Sequence, residues 1–97
     1  MGHRSAQGAD FDLEGIWFYV ASRTGSIEKA DRFIDSITNR FSLLASHPYM
    51  GRARDADLRA GLRTFPVGDY VMVYRIEDGD VMILRVVRGS RDLQTLL

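Results

Sequence analysis

Arginine is the residue type in this sequence that is best suited to chemistry. All but one of the thirteen basic residues are arginines, and the second half of the chain holds eight of them: Arg52, Arg54, Arg59, Arg63, Arg75, Arg85, Arg88 and Arg91. A guanidinium can stabilise the charge of a phosphoryl transition state, but it does not readily give up its proton. Acid–base catalysis would therefore need a second kind of group beside these arginines.

The sequence offers no such group in a recognisable setting. The two histidines are His3, in the polar start, and His47, where a cation suits the end of a helix that Pro48 stops. There is no glycine-rich phosphate loop, no metal-ligand spacing and no nucleophile motif. The absence of cysteine excludes disulfides and thiolate metal sites. We therefore expect no catalytic residue, no metal and no cofactor.

The overall composition is that of an ordinary globular domain. Thirteen basic residues balance thirteen acidic ones, which argues against a protein whose main task is to hold phosphate backbones. We expect no sequence-specific binding of nucleic acid. No apolar run approaches the ~20 residues that span a bilayer, and the start lacks a signal-peptide core. The sequence predicts one domain, residues 1–97, located in the cytoplasm and without a membrane partner.

Two amphipathic helices are predicted, over residues 9–24 and 26–47. In the first, apolar residues recur at i, i+3, i+4, i+7 and i+8, beginning at Leu13. The second begins at Ser26, a good N-cap, and ends before Pro48. The short connection between them implies an antiparallel helical hairpin. Residues 1–8 are predicted to be a frayed start, a short strand or a non-native extension.

Residues 61–89 contain three short apolar runs separated by turn residues. Gly68-Asp69 and Asp78-Gly79 are typical of two-residue hairpin turns. We therefore expect an α+β fold, in which an N-terminal antiparallel helical hairpin packs on a three- to four-stranded antiparallel sheet. The polar connector at 48–59 favours a solvated loop over a phosphate-binding loop.

If both turns have two residues, the register of the sheet is fixed and both of its faces are largely apolar. Tyr74 then lies opposite Ile83, and Met72 lies opposite Arg85. An antiparallel sheet with one solvated face normally alternates apolar and polar residues, and this one does not. Its second face would be covered either by the termini of the chain or by another chain. This face carries Leu62, Thr64, Pro66, Val71, Val73, Arg75, Met82, Leu84 and Val86.

Six short motifs follow one another along nearly the whole chain. They are Ala9-x-x-Asp12-Leu13-x-x-Ile16-Trp17-x-Tyr19, Ala30-x-x-Phe33-Ile34, His47-Pro48-x-x-Gly51-Arg52, Gly61-Leu62-Arg63-x-Phe65, Tyr70-x-x-x-Tyr74-Arg75 and Val81-x-Ile83-Leu84-Arg85-Val86. The ordered set resembles the ParE branch of the RelE/ParE toxins of type II toxin–antitoxin systems. The resemblance implies the same helical hairpin on an antiparallel sheet. Its usual apolar first strand has only Met1 to Ser5 to occupy here.

The resemblance also bears on activity. RelE-branch toxins cleave messenger RNA on the ribosome with basic residues on the open sheet face and a tyrosine near the C-terminus. Those strand positions fall here on Leu62, Thr64 and Val71, the tyrosine position falls on or near Leu97, and only Arg91 matches a basic one. The ParE activity is therefore implied: inhibition of DNA gyrase, neutralised by a ParD-like antitoxin in a hetero-oligomer. The alternatives are a RelE-type endonuclease and a non-toxic antitoxin-binding module.

By the same resemblance, one sheet face packs under the helices and the other binds the antitoxin. Arg63 and Arg85 would lie on the helix side and need partners such as Asp12 or Glu14. Arg88 and Arg91 are predicted to contact the target. The predicted antitoxin-binding residues are Leu62, Thr64, Val71, Val73, Met82, Leu84 and Val86.

Overall fold

The computed structural model describes residues 2–89 and 93–96. Two helices, α1 (Gln7–Thr24) and α2 (Ile27–Ser46), pack on one face of a five-stranded sheet, and a short helix, α3 (Leu93–Leu96), follows it. The strands are β1 (His3–Ser5), β2 (Arg52–Ala53), β3 (Arg63–Val67), β4 (Tyr70–Glu77) and β5 (Asp80–Arg88), in the order β1-β5-β4-β3-β2. The predicted α+β class is confirmed.

The two edges of the sheet differ from the prediction of three to four antiparallel strands. Residues His3–Ser5 form a short strand that runs parallel to β5, with His3 opposite Val81. At the other edge, Arg52 and Ala53 pair with β3. The sheet is therefore mixed, and both added strands are too short and polar to show a period of two in the sequence.

Local signals set the ends of both long helices. Helix α1 is capped at its C-terminus by Gly25, which has a φ of 67° and whose N–H donates to the Ala21 carbonyl at 2.9 Å. Helix α2 begins after Ser26, whose hydroxyl accepts from the Lys29 N–H at 3.1 Å. Helix α1 begins at Gln7, two residues before the predicted start.

The core lies between the two helices and the β3–β5 meander. The turns have the backbone that their sequence requires, with φ of 57° at Gly68, 53° at Asp78 and 80° at Gly79. The buried cluster consists of Ala9, Ile16, Ile37, Phe41, Leu44, Val67, Tyr70, Met72, Tyr74, Val81, Ile83 and Val86.

A β-bulge in β5 makes part of the predicted register wrong. Tyr74 lies opposite Ile83 as expected, but Val73 lies opposite Arg85, so Leu84 is an extra residue in β5. Beyond the bulge, Met72 faces Val86 instead of Arg85. Because the bulge shifts the alternation of side chains by one residue, Val86 and Val87 each lie on the face opposite to the predicted one. Val86 is in the core on the helix side, and Val87 lies opposite Val71.

Asp12 of α1 bonds to strand β5 beside this bulge. Its carboxylate accepts from Arg85 Nε at 2.7 Å and Nη2 at 3.0 Å, and from the backbone N–H of Val86 at 2.9 Å. A backbone amide near the bulge therefore bonds to a helix side chain. The prediction that Arg85 would need Asp12 or Glu14 as a partner is confirmed for Asp12.

The hydroxyl of Tyr74 connects β4 to the segment after α2. It donates to the Pro48 carbonyl at 2.7 Å and accepts from the Gly51 N–H at 2.9 Å. Arg63 completes this cluster through the Gly51 carbonyl, to which Nη2 donates at 2.8 Å, and it stacks on the ring of Tyr49. This hydrogen-bonded cluster therefore joins residues of three sequence motifs, namely Pro48 and Gly51, Arg63, and Tyr74.

Gly15 and Gly51 allow a matched test of the packing. A methyl group at Gly15 would meet nothing within 4 Å, whereas at Gly51 it would lie 2.7 Å from Tyr74 Cε1 and 2.9 Å from the Thr64 carbonyl. We expect Gly15→Ala to raise the free energy of unfolding by about 0.5–1 kcal/mol, because glycine is unfavourable inside a helix. Gly51→Ala should lower it by about 1–3 kcal/mol. Urea unfolding measures both, and destabilisation by Gly15→Ala would contradict the structure.

Candidate interaction surface

The sheet face opposite the two long helices, called the open face below, carries six of the seven predicted antitoxin-binding residues. Val71, Met82 and Leu84 are half-buried there, while Leu62, Thr64 and Val73 are buried. The seventh, Val86, is 2% exposed and lies in the core on the helix side, so its placement on the open face was wrong. The structure thus brings three accessible apolar side chains together on this face.

The chain itself covers part of the open face, which was one of the two alternatives for it. Thr64 is the cross-strand partner of Val73, and its hydroxyl accepts from Arg54 Nη1 at 3.1 Å. The Leu62 carbonyl accepts from the Arg54 N–H at 2.9 Å. The connector was predicted to be a solvated loop, but Arg54 fixes it against β3. Val73 is fully buried beneath this region.

Arg54 is held in place by Asp57 of the same connector. Arg54 Nη2 donates to Asp57 Oδ2 at 2.6 Å, and Nε lies 3.0 Å from Oδ1. This hydrogen bond raises the pKa of Arg54 and lowers the pKa of Asp57. The Asp57 carbonyl accepts from the Gln94 side chain at 2.6 Å, which joins α3 to the connector.

A cleft of about 320 Å³ remains between the connector, α3 and the end of β5. Val71 forms part of its lining together with Leu58 and Leu93, and the polar lining includes Arg54 and Gln94. The cleft gives a small apolar side chain access to Val71 from the open face. It is the part of the predicted antitoxin-binding surface that the connector and α3 shape most directly.

Of the two predicted target contacts, Arg88 and Arg91, the structure describes only Arg88. Arg91 lies outside the described residues. Arg88, at the end of β5, is exposed, and its guanidinium carbon lies 5.3 Å from the ring centre of Tyr19 and 5.5 Å from that of Tyr70. The guanidinium therefore contacts two aromatic rings on the helix side of the sheet.

Sequence reasoning missed the aromatic residues around Arg88. Tyr19 belongs to a sequence motif, but nothing in its spacing shows that it meets β5. Phe11 and Phe18 are 75% and 58% exposed. Neither phenylalanine belongs to the row of apolar residues by which α1 faces the core. Two large apolar residues outside that row indicate a second apolar face on the helix.

Several titratable side chains of residues 2–89 and 93–96 take part in contacts within the fold. No group of histidine, aspartate and glutamate side chains there could hold a metal ion. Hydrogen bonding within the pairs Arg54–Asp57 and Asp12–Arg85 is the largest cause of a raised pKa at Arg54 and Arg85 and of a lowered pKa at Asp57. His3 packs edge-on against Phe41, and the His47 N–H caps α2. No helix in the described part of the chain is long and apolar enough to cross a membrane.

Comparison with known proteins decides the family. Residues 5–93 match the family described as ParE toxin of the type II toxin–antitoxin system parDE. The chain belongs to this toxin family. The match begins at Ser5, the last residue of β1, and ends at Leu93, the first residue of α3, so it takes in the helical hairpin and strands β2 to β5.

Individual relatives agree with this assignment. The chain is 36% identical to Toxin ParE3 of Caulobacter vibrioides over 86 residues, covering 89% of this chain and 84% of the relative. It is 37% identical to Toxin RelE3 of the same species over 75 residues, covering 77% of this chain and 79% of the relative. The solved structure of the chromosomal ParDE TA system from P. aeruginosa matches with a TM-score of 0.78 and 23% identity, covering 91% and 95% of the two chains. That last likeness supports the fold.

Proposed function

We propose that this ParE-family toxin acts by binding, that its target is DNA gyrase, and that a ParD-like antitoxin neutralises it. One observation carries the choice of binding over catalysis. The open-face positions that bear basic residues in RelE-type nucleases hold Leu62, Thr64 and Val71 here. These side chains carry no charge, and the first two are 4% and 6% exposed. They cannot polarise a scissile phosphate.

The choice of gyrase as target rests on the family resemblance alone. Arg88 and Arg91 remain the proposed target contacts, because Arg88 is the exposed last residue of β5 and Arg91 comes three residues later in the sequence. Arginines on a rigid scaffold also suit binding to a protein surface.

The open face is the proposed seat of the antitoxin. Its accessible apolar residues, Val71, Met82 and Leu84, line a sheet surface that the connector and α3 leave partly uncovered. Leu62, Thr64 and Val73 are buried on the same face, where Arg54 of the connector bonds to Leu62 and Thr64. The solved relative is a toxin–antitoxin system, which favours an antitoxin partner for this chain as well.

Two aspartate substitutions separate binding from folding at this face. We expect Leu84→Asp to weaken antitoxin binding about tenfold or more with little change in the melting temperature, because Leu84 is half-buried at a bulge. Val73→Asp should lower the free energy of unfolding by about 3 kcal/mol or more, because it places an unpaired charge at a fully buried position. Calorimetric titration and thermal melts measure the two effects. Unchanged antitoxin affinity of Leu84→Asp would remove the open face from the proposal.

A supercoiling assay tests the target. The purified chain should inhibit supercoiling by DNA gyrase, and added antitoxin should restore it. The double substitution Arg88→Gln and Arg91→Gln should raise the toxin concentration that is needed by about tenfold, because it removes two target contacts. Arg32→Gln, at an exposed site on α2, is the matched control and should act as wild type. Gyrase activity that is unaffected by the wild-type chain would refute the target.

A second candidate is ribosome-dependent cleavage of messenger RNA. The observation in its favour is the identity of 37% with a relative named Toxin RelE3. Toeprinting on translating ribosomes distinguishes the two functions, since site-specific cleavage that is lost in Arg91→Ala would establish the nuclease. Normal growth on overexpression, together with tight antitoxin binding, would instead establish a non-toxic binding module.

A further inference from the structure

Helix α1 has a second apolar face, turned away from the core. Phe11, Gly15 and Phe18 follow one another at i, i+4 and i+7 and so lie on one side of the helix. Both phenylalanines are mostly exposed, and Tyr19 beside them is 43% exposed. A helix that is apolar on both sides is typical of one that is covered on both sides. The sheet covers only one of them.

A groove of about 280 Å³ runs between this face and β5, and we call it the α1 groove. Phe11, Gly15 and Tyr19 line it from the helix, and Val86 and Arg88 line it from β5. Nothing lies within 4 Å of the position that a Cβ of Gly15 would take. The glycine, unfavourable inside a helix, therefore leaves space for a side chain from outside.

Two arginines stand at one end of the α1 groove, around the ring of Tyr19. The guanidinium of Arg88 lies between Tyr19 and Tyr70, and that of Arg23 lies 5.5 Å from the Tyr19 ring centre. Neither arginine has a carboxylate partner within residues 2–89 and 93–96, although Arg54 and Arg85 each have one. The groove is lined partly by apolar side chains, and the carboxylate in its lining, Asp12, is already paired with Arg85. Two oriented cations beside the groove therefore suit a ligand that carries both apolar groups and a carboxylate.

A second copy of this chain is a poor occupant of the groove. A two-fold contact between α1 helices about Gly15 brings the same flank of each helix together. Glu14 is exposed on that flank, so the two Glu14 carboxylates would lie side by side and repel each other. The charges therefore favour a different polypeptide.

We infer that the α1 groove receives an apolar segment of the antitoxin that directs a carboxylate at Arg88 and Arg23. This inference rests on the antitoxin binding proposed above and adds a second contact surface, on the helix side of the sheet. Because Arg88 is also a proposed target contact, the bound segment would cover a residue that the toxin needs for its target. Neutralisation then includes direct competition at Arg88.

Affinity measurements with the cognate antitoxin test the α1 groove. Arg88→Gln removes one cation, and Gly15→Glu fills the groove with a negatively charged side chain at a position that is open in the free toxin. Each should weaken antitoxin binding about 10- to 100-fold in 50 mM salt, and the effect of Arg88→Gln should shrink at 500 mM salt. Arg32→Gln is the control for loss of an arginine, and thermal melts of each free variant verify folding.

The outcomes separate this inference from the proposed function. A wild-type chain that binds no antitoxin overturns the proposed function and this inference with it. A wild-type complex whose affinity changes less than twofold in both Arg88→Gln and Gly15→Glu overturns the α1 groove alone. Sedimentation of the free toxin gives the remaining result, since a homodimer that Gly15→Glu dissociates would show that a second copy occupies the groove.

Discussion

The Asp12 carboxylate joins helix α1 to strand β5 through hydrogen bonds from the Arg85 side chain and from the Val86 backbone. Its side chain is only 11% exposed, so the charge depends on these partners for its solvation. The bonds in turn raise the pKa of Arg85, with the Asp12 hydrogen bond as the largest cause. These bonds attach the helix to β5 at the bulge, where an arginine side chain and the next backbone N–H donate to the same carboxylate.

Both proposed surfaces depend on that crossing. The bulge beside Arg85 puts Val86 into the core and brings Arg88 opposite Tyr70, on the helix side of the sheet. Without the extra residue, the alternation of β5 would direct Arg88 to the open face, away from Tyr19. Leu84, the extra residue itself, is left half-buried on the open face. The bulge thus leaves Leu84 on the open face and Arg88 beside the aromatic rings on the helix side.

The sequence predicted the elements that carry their own local signals. The apolar periodicity of α1 and α2 and the turns at Gly68 and Asp78-Gly79 depend on residues close in the chain, and the structure has them where they were expected. The bulge could not be predicted, because residues 84–87 are apolar in either register except for Arg85. The burial of Val73 was missed for a similar reason: its neighbour Thr64 is in contact with Arg54, ten residues away in the chain, and no local pattern predicts that contact.

The Asp12–Arg85 pair is open to direct measurement by a double-mutant cycle of Asp12→Ala and Arg85→Ala, with the free energy of unfolding determined by urea for all four proteins. If the pair fixes α1 on β5, each single substitution should be strongly destabilising, and the coupling free energy should be about 1.5–3 kcal/mol. A coupling below about 0.5 kcal/mol would show that other contacts hold the helix on the strand, and the account of both surfaces would then lose its structural basis.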